Sequence, residues 1–222
     1  MIMTAKYADL ARGENLRKRV MQLNNLDEEQ VILWCPTGYP LAGHERVKTV
    51  QKYPFTYKGS ENWAIATHKM ALWGQTQYDV IVSMDLDMVP AQPFAELFNA
   101  PGPLSITYGM EPYTYPYGIN SGLLVVHPSA HLYHWMVQQP QSGTDQEIIS
   151  QLLLGKGELV LSHIYNMNPV ACNALQQAFG SNQQRFTKIW HFTNGIAKPW
   201  DLTLEEVPLC ARDAWSKLYH NA

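Results

Sequence analysis

The sequence predicts an α/β fold, a Rossmann-like single domain over residues 1–222 with a mostly parallel central sheet flanked by helices. Three observations carry this prediction. Apolar runs of strand length alternate with segments of helical periodicity along the chain. Hydrophobic residues make up 46% and charged residues 16% of the 222, a composition that supports one sizeable core. No internal repeat, low-complexity tract or linker interrupts the alternation.

The elements follow in order. A short apolar strand opens the chain at residues 1–5, and residues 9–24 form an amphipathic helix with Leu16, Val20 and Leu23 at helical spacing. A strand over 29–36 is stopped by Pro36, and residues 37–61 are mixed loop with a short helix or strand. A helix over 62–77 places Trp63, Ala66, Met70 and Trp73 on one side, and it leads to a strand over 79–84. Pro93 suits the first turn of a short helix over 93–99. Strands are expected at 103–110 and, after a turn, within 118–130. Helices follow at 131–139 and at 144–155, the second with Thr144 as N-cap. Strands at 158–167 and 187–192 and a closing helix from Arg212 complete the pattern. Since the first strand starts at residue 1, the chain is also compatible with one domain of a longer protein.

The bulk properties exclude some partners. A net charge of -3 and a pI near 6.2 argue against nucleic acid and against an anionic membrane surface, though not against a local basic pocket. The first ten residues contain no apolar stretch of signal-peptide length, and no run approaches the ~20 residues of an integral membrane segment. Cys35, Cys172 and Cys210 are far apart and odd in number. They predict neither a disulfide framework nor a zinc site, which favours a reducing, cytoplasmic setting.

In an α/β sheet, ligands sit at the carboxyl ends of strands. The strand over 79–84 runs straight into Asp85-Leu86-Asp87. Residues i and i+2 of a strand share a face, so the two carboxylates stand roughly 6–7 Å apart and repel one another. A hard divalent cation resolves that conflict, while a solvated turn accommodates it equally well. His191 ends another apolar strand, where a core histidine is the plainer reading. Beside it come Asn194, Gly195 and Lys198. Glycine lets backbone N–H groups approach an anion, and lysine supplies a point charge for phosphate. Two carboxylates and one imidazole nitrogen suit Mn²⁺, with Mg²⁺ less at ease on nitrogen.

Taken together, Asp85-Leu86-Asp87, "NSGLLVVHPS" (120–129), "TDQEIISQLL" (144–153) and "HFTNGIAKPW" (191–200) resemble, in that order, the retaining glycosyltransferases of family 8, the glycogenin and bacterial galactosyltransferase group. The resemblance runs from the first strand to Trp200. It implies a GT-A fold, a UDP-sugar donor and Mn²⁺. It also implies that Asp85, Asp87 and His191 ligate the metal, with Leu86 between the aspartates at the donor. Lys198 with Asn194 and Gly195 would bind the pyrophosphate, and Lys69 would lie near the donor. Asn120 and Ser121 would flank the sugar. Asp145 would grip its hydroxyls, with Gln146 near the anomeric centre. Thr4, Ala5 and Tyr7 would hold the uracil.

Each assignment has a plainer alternative in the residues alone: a surface lysine for Lys69, a tight turn for Asn120 and Ser121, an N-cap and first-turn acid for Thr144 and Asp145, packing for Tyr7. The turn after His191 is one residue longer than in glycogenin, which leaves its backbone donors open. Glycogenin glucosylates a tyrosine of its own shortly before that strand, and residues 168–186 contain none. The expected acceptor is therefore a separate molecule, a glycan or another hydroxyl. Tyr108, Tyr113, Tyr115 and Tyr117 are candidates for stacking on it. Two other functions fit the same pattern: a sugar nucleotidyltransferase and a nucleotide-sugar-binding protein without catalysis.

Overall fold

A computed structural model describes residues 1–3, 9–55, 59, 61–108, 118–170, 177, 186–193 and 197–219. Seven strands form the main sheet: β1 (Ile2–Met3), β2 (Leu33–Pro36), β3 (Val47–Val50), β4 (Ile81–Asp85), β6 (Leu104–Tyr108), β7 (Ile119–Val126) and β8 (Leu159–Val160). Their order is β3-β2-β1-β4-β7-β6-β8. β7 is antiparallel to both neighbours and the remaining pairings are parallel, so the sheet is mostly parallel as expected. A separate two-stranded ladder joins β5 (Met88–Pro90) to β9 (Ile189–His191).

Local chemistry accounts for the helices. Asp9 caps α1 (Leu10–Asn24), its carboxylate accepting from Arg12 N at 2.9 Å, and Asn25 closes it in the left-handed conformation. Ser129 caps α3 (Ala130–Gln138). Thr144 and Glu147 form a reciprocal capping box on α4 (Asp145–Leu153). The closing helix, α5 (Arg212–Tyr219), packs on α1 and β5.

Several boundaries differ from the sequence reading. The helix expected over 62–77 divides into α2 (Glu61–Ala66) and a 3-10 segment, Thr67–Gly74. The strand expected over 158–167 ends at Val160 and is followed by a 3-10 turn, His163–Tyr165. β8 is an edge strand on β6, and its last bond to that neighbour is Leu161 N donating to Ile106 O at 2.8 Å, where β6 shifts register. The expected absence of a disulfide is also corrected: Cys210 is disulfide-bonded, while Cys35 is a buried free thiol. Sequence spacing does not report which cysteines meet in space. No helix among the described residues is long and apolar enough to cross a membrane.

The core lies along both central strands. Every residue of β4 and of β7 is buried. Trp73, wholly buried, donates its indole N–H to Pro103 O at 3.2 Å, which satisfies the one polar atom of that side chain. This packing fixes the 3-10 segment that carries Lys69 against the sheet.

Candidate functional site

β1 and β4 run side by side and in register, Met3 opposite Asp85, so Asp85 stands at the carboxyl end of the sheet. β7 runs the other way and begins there. Met84 pairs with Leu123, which places Ser121 and Gly122, in the first half of β7, beside the aspartates. Asp87 precedes β5, whose Met88 pairs with His191 of β9. The ladder is extended by Phe192 N donating to Asp87 O at 3.0 Å. Two strand ends and one small ladder thus bring three sequence-distant side chains together. One ligand atom from each of Asp85, Asp87 and His191 lies within 4.8 Å of the others, and all three residues are buried.

The spacing fits a metal. His191 Nε2 is 3.3 Å from Asp87 Oδ1, close to the edge of a coordination polyhedron with bonds of about 2.0–2.3 Å. The oxygen-plus-imidazole donor set suits Mn²⁺ or a similar divalent ion. Burial of unshared carboxylates is otherwise strongly unfavourable.

Two lysines flank the cluster in different ways. Lys69 Nζ lies 2.8 Å from Asp85 Oδ1 and 3.3 Å from Asp145 Oδ2, and it donates to Ser121 O at 3.0 Å. With its side chain only 2% exposed, it is a fixed counter-charge between two carboxylates rather than a surface lysine. Burial pushes its pKa down, but the charges and hydrogen bonds of Asp85 and Asp145 outweigh burial and the pKa is raised. Lys198, half-buried, meets Asp87 Oδ2 at 2.5 Å and Phe192 O at 3.1 Å. On the far side, Tyr219 of α5 has its hydroxyl pKa raised by burial and then by the charge of Asp87.

Asp145 is both first-turn acid and site residue. Thr144 makes the cap, and the Asp145 side chain turns inward to accept from Ser121 Oγ at 2.5 Å. Its Oδ1 and the Oε1 of Gln146 are buried acceptors without a hydrogen-bond partner among the described residues. Each is suited to a ligand hydroxyl. Asn120 is occupied internally: its Oδ1 accepts from Gly122 N at 2.9 Å and from Asn166 Nδ2 at 3.1 Å. Leu86 packs in the hydrophobic core. Thr4, Ala5, Tyr7, Asn194, Gly195 and Tyr113, Tyr115 and Tyr117 lie outside the described residues.

Two residues that the sequence did not point to take part. A Cβ on Gly122 would stand 2.2 Å from His191 Cε1, so only glycine allows the imidazole to lie over this backbone. Asn166 holds His191 Nδ1 at 2.8 Å. Gly122 follows directly on the quoted Asn-Ser pair, which is the one signal available for it. Asn166 sits in a run that reads as strand. A cavity of about 620 Å³ lies elsewhere, at the amino ends of β2 and β3, where Arg17 is paired with Glu14 and Glu28.

No protein-family model and no curated protein sequence matches the chain. Solved structures do. The glycosyltransferase GlyE of Streptococcus pneumoniae TIGR4 superposes with a TM-score of 0.63 at 15% identity, covering 98% of this chain. This chain spans 59% of the GlyE chain. The galactosyltransferase LgtC, solved with donor and acceptor sugar analogues, matches at 0.57 and 11% identity over 100% of this chain and 96% of its own. Mouse xyloside xylosyltransferase 1 matches at 0.54 and 14% identity over 88% and 97%. The fold is the GT-A fold of these glycosyltransferases, as the family 8 resemblance implies.

Proposed function

We propose that this chain, with its glycosyltransferase fold, is a retaining glycosyltransferase. It moves a hexose-type sugar from a UDP-sugar to a hydroxyl of a separate acceptor such as a glycan, with Mn²⁺ as cofactor and Mg²⁺ as a weaker substitute. The observation that carries this reading is the convergence of Asp85, Asp87 and His191 within 4.8 Å, with Lys198 and Asp145 adjoining. A divalent cation held there supplies Lewis-acid stabilisation to the departing diphosphate.

The side chains divide the remaining work. Lys198, on the half-buried side of Asp87, is placed to add a positive charge to the leaving phosphate oxygens. Asp145 and Gln146 offer buried acceptors to sugar hydroxyls. Lys69 and Ser121 fix the Asp145 carboxylate through its Oδ2, which favours an orienting role over nucleophilic attack. Gln146 is a poor nucleophile. A double displacement needs a free carboxylate close to the anomeric carbon. These features favour transfer on the same face of the sugar, in which the departing phosphate oxygen takes the acceptor proton. Residues 168–186 contain no tyrosine, which supports a separate acceptor.

The test is thermal stabilisation by UDP with and without Mn²⁺, followed by a screen of UDP-sugars for Mn²⁺-dependent hydrolysis. The expected result is metal-dependent stabilisation by UDP, turnover of at least one donor, and loss of that turnover in Asp87→Ala. Stabilisation without turnover of any donor would leave a binding protein. No response to UDP, or near-normal turnover in Asp87→Ala, would overturn the assignment.

A further inference from the structure

Resting on the proposed metal site, we infer that Asn166 is a positioning residue that fixes the tautomer of His191 and so presents a bare Nε2 to the cation. The derivation begins at a group with no choice of role. The backbone N–H of Gly122 can only donate, and the side-chain atom of Asn120 it meets at 2.9 Å is therefore the amide oxygen. The Asn166 atom that approaches this oxygen at 3.1 Å must then be its NH₂ group. The same NH₂ donates to Thr107 Oγ1 at 2.7 Å. What Asn166 turns toward His191 is consequently its carbonyl oxygen, 2.8 Å from Nδ1. An unprotonated Nδ1 would set two lone pairs against each other at that distance, so Nδ1 carries the proton. In the neutral ring Nε2 is then unprotonated, and it faces the Asp87 carboxylate at 3.3 Å. Two acceptors held at this distance are matched by a cation between them.

The fold makes this relay rigid. Thr107, Asn120, Asn166 and His191 are all buried, which excludes the water that would otherwise scramble donor and acceptor roles. Thr107 pairs with Asn120 across β6 and β7 immediately after a register shift between Ile106 and Thr107. The irregularity in the ladder brings the threonine hydroxyl to the asparagine pair. Asn166 is held beside β9 by its neighbour: Met167 N donates to Ile189 O at 3.0 Å, and His191 N donates to Met167 O at 2.9 Å. A chain of hydrogen bonds thus runs from the backbone of β7 to the imidazole of β9. Its direction is set at the Gly122 end.

The test uses the ¹⁵N-labelled, metal-free full chain. Long-range proton–nitrogen correlation at a pH where His191 is neutral reads its tautomer, the resonance being assigned by its loss in His191→Gln. Protonation on Nδ1 is expected, and protonation on Nε2 overturns the inference. Calorimetric titration with Mn²⁺ alone supplies the second readout. Asn166→Leu should weaken Mn²⁺ binding roughly 10–100-fold, the usual effect of losing an outer partner of a ligating histidine. Asn166→Asp keeps an acceptor for Nδ1–H, although it loses the donor to Asn120 Oδ1, and should retain the Nδ1 tautomer; an Nε2 tautomer in it overturns the inference. Wild-type Mn²⁺ affinity in folded Asn166→Leu overturns the inference. If Asn166→Leu does not fold, the wild-type spectrum and Asn166→Asp decide. Neither readout involves a sugar donor. An Nδ1 tautomer with Asn166-dependent metal binding and no donor turnover would uphold this inference and overturn the transferase reading alone.

Discussion

Gly122→Ala places a methyl group where the imidazole of His191 already lies. The added carbon would stand 2.2 Å from Cε1, 2.7 Å from Nδ1 and 2.9 Å from Nε2. Carbon atoms in ordinary contact keep about 3.5–4.0 Å, so the ring must withdraw by roughly 1.3 Å or more. It has little freedom to do so. Its Nδ1 is tied to Asn166 at 2.8 Å, and its backbone is paired with Met88 and bonded to Met167. Overpacking of this kind costs about 1–3 kcal/mol, and a stretched hydrogen bond adds about 1 kcal/mol. A total near 2–4 kcal/mol is smaller than a typical stability of about 5–15 kcal/mol, so the variant folds. For a chain of this size the melting temperature should fall by roughly 4–16 °C. Displacing the ring also takes Nε2 away from Asp87, and Mn²⁺ affinity should drop about 10–100-fold. Thermal unfolding and Mn²⁺ calorimetry measure the two effects. A variant that melts and binds Mn²⁺ indistinguishably from the parent would refute the close approach and the metal-site geometry built on it.

Two predictions concern buried charge. Lys69→Met strands Asp85 and Asp145 without their counter-charge and should destabilise the fold by about 3–5 kcal/mol in urea unfolding; a loss below about 1 kcal/mol would contradict its role as a fixed ion-pair partner. Because the pKa of Lys69 is raised, its contribution is complete below about 10.5 and is lost as the pH rises through the folded value. The variant should therefore show a shallower alkaline decline, with the tyrosines whose pKa burial raises, Tyr53 and Tyr165 to about 12 and Tyr133 and Tyr219 upward too, contributing what remains. The second group is His68, whose pKa is pushed down to about 4 by burial and then by the charge of Lys52. A depressed histidine leaves the unfolded chain binding more protons between about 4 and 6.5, so stability should fall over that interval as the pH drops, by up to about 3 kcal/mol. His68→Gln should flatten this slope, and an unchanged slope would place its origin elsewhere.

Two parts of the site were legible from one local pattern, an apolar run that ends in a polar residue. Asp85 and His191 follow such runs, and the alternation of runs with helical periodicity was enough for the fold class. Asp145 was legible as a cap neighbour, and only the structure shows it turned inward to Lys69 and Ser121. Asn166 was not legible, because residues 158–167 have the composition of a strand. Pairing stops at Val160, and a tight turn delivers Asn166 to His191. β5 was hidden by Pro90, which reads as a stop. In a two-stranded ladder a proline at the last position is tolerated, since only one side is paired. The importance of Gly122 lies in a contact across about seventy residues of sequence, which no local pattern encodes.

The charges around the cluster do not balance among themselves, and the two lysines answer this differently. Asp85, Asp87 and Asp145 face Lys69 and Lys198, three carboxylates against two ammonium groups. Lys69 is buried between two of the carboxylates and cannot leave without stranding both. Lys198 is 28% exposed and meets Asp87 and the carbonyl of Phe192. As the more exposed of the two lysines, it is the one able to turn toward a ligand. Near Asp87 its charge opposes a second cation, whereas it attracts a diphosphate once that cation is in place. Lys198→Ala should therefore bind Mn²⁺ alone at least as tightly as the parent, yet bind UDP in the presence of Mn²⁺ several-fold more weakly. Calorimetry on the same preparation measures both. A change of the same sign in the two titrations would mean that Lys198 acts only on the fold of its loop and not through its charge.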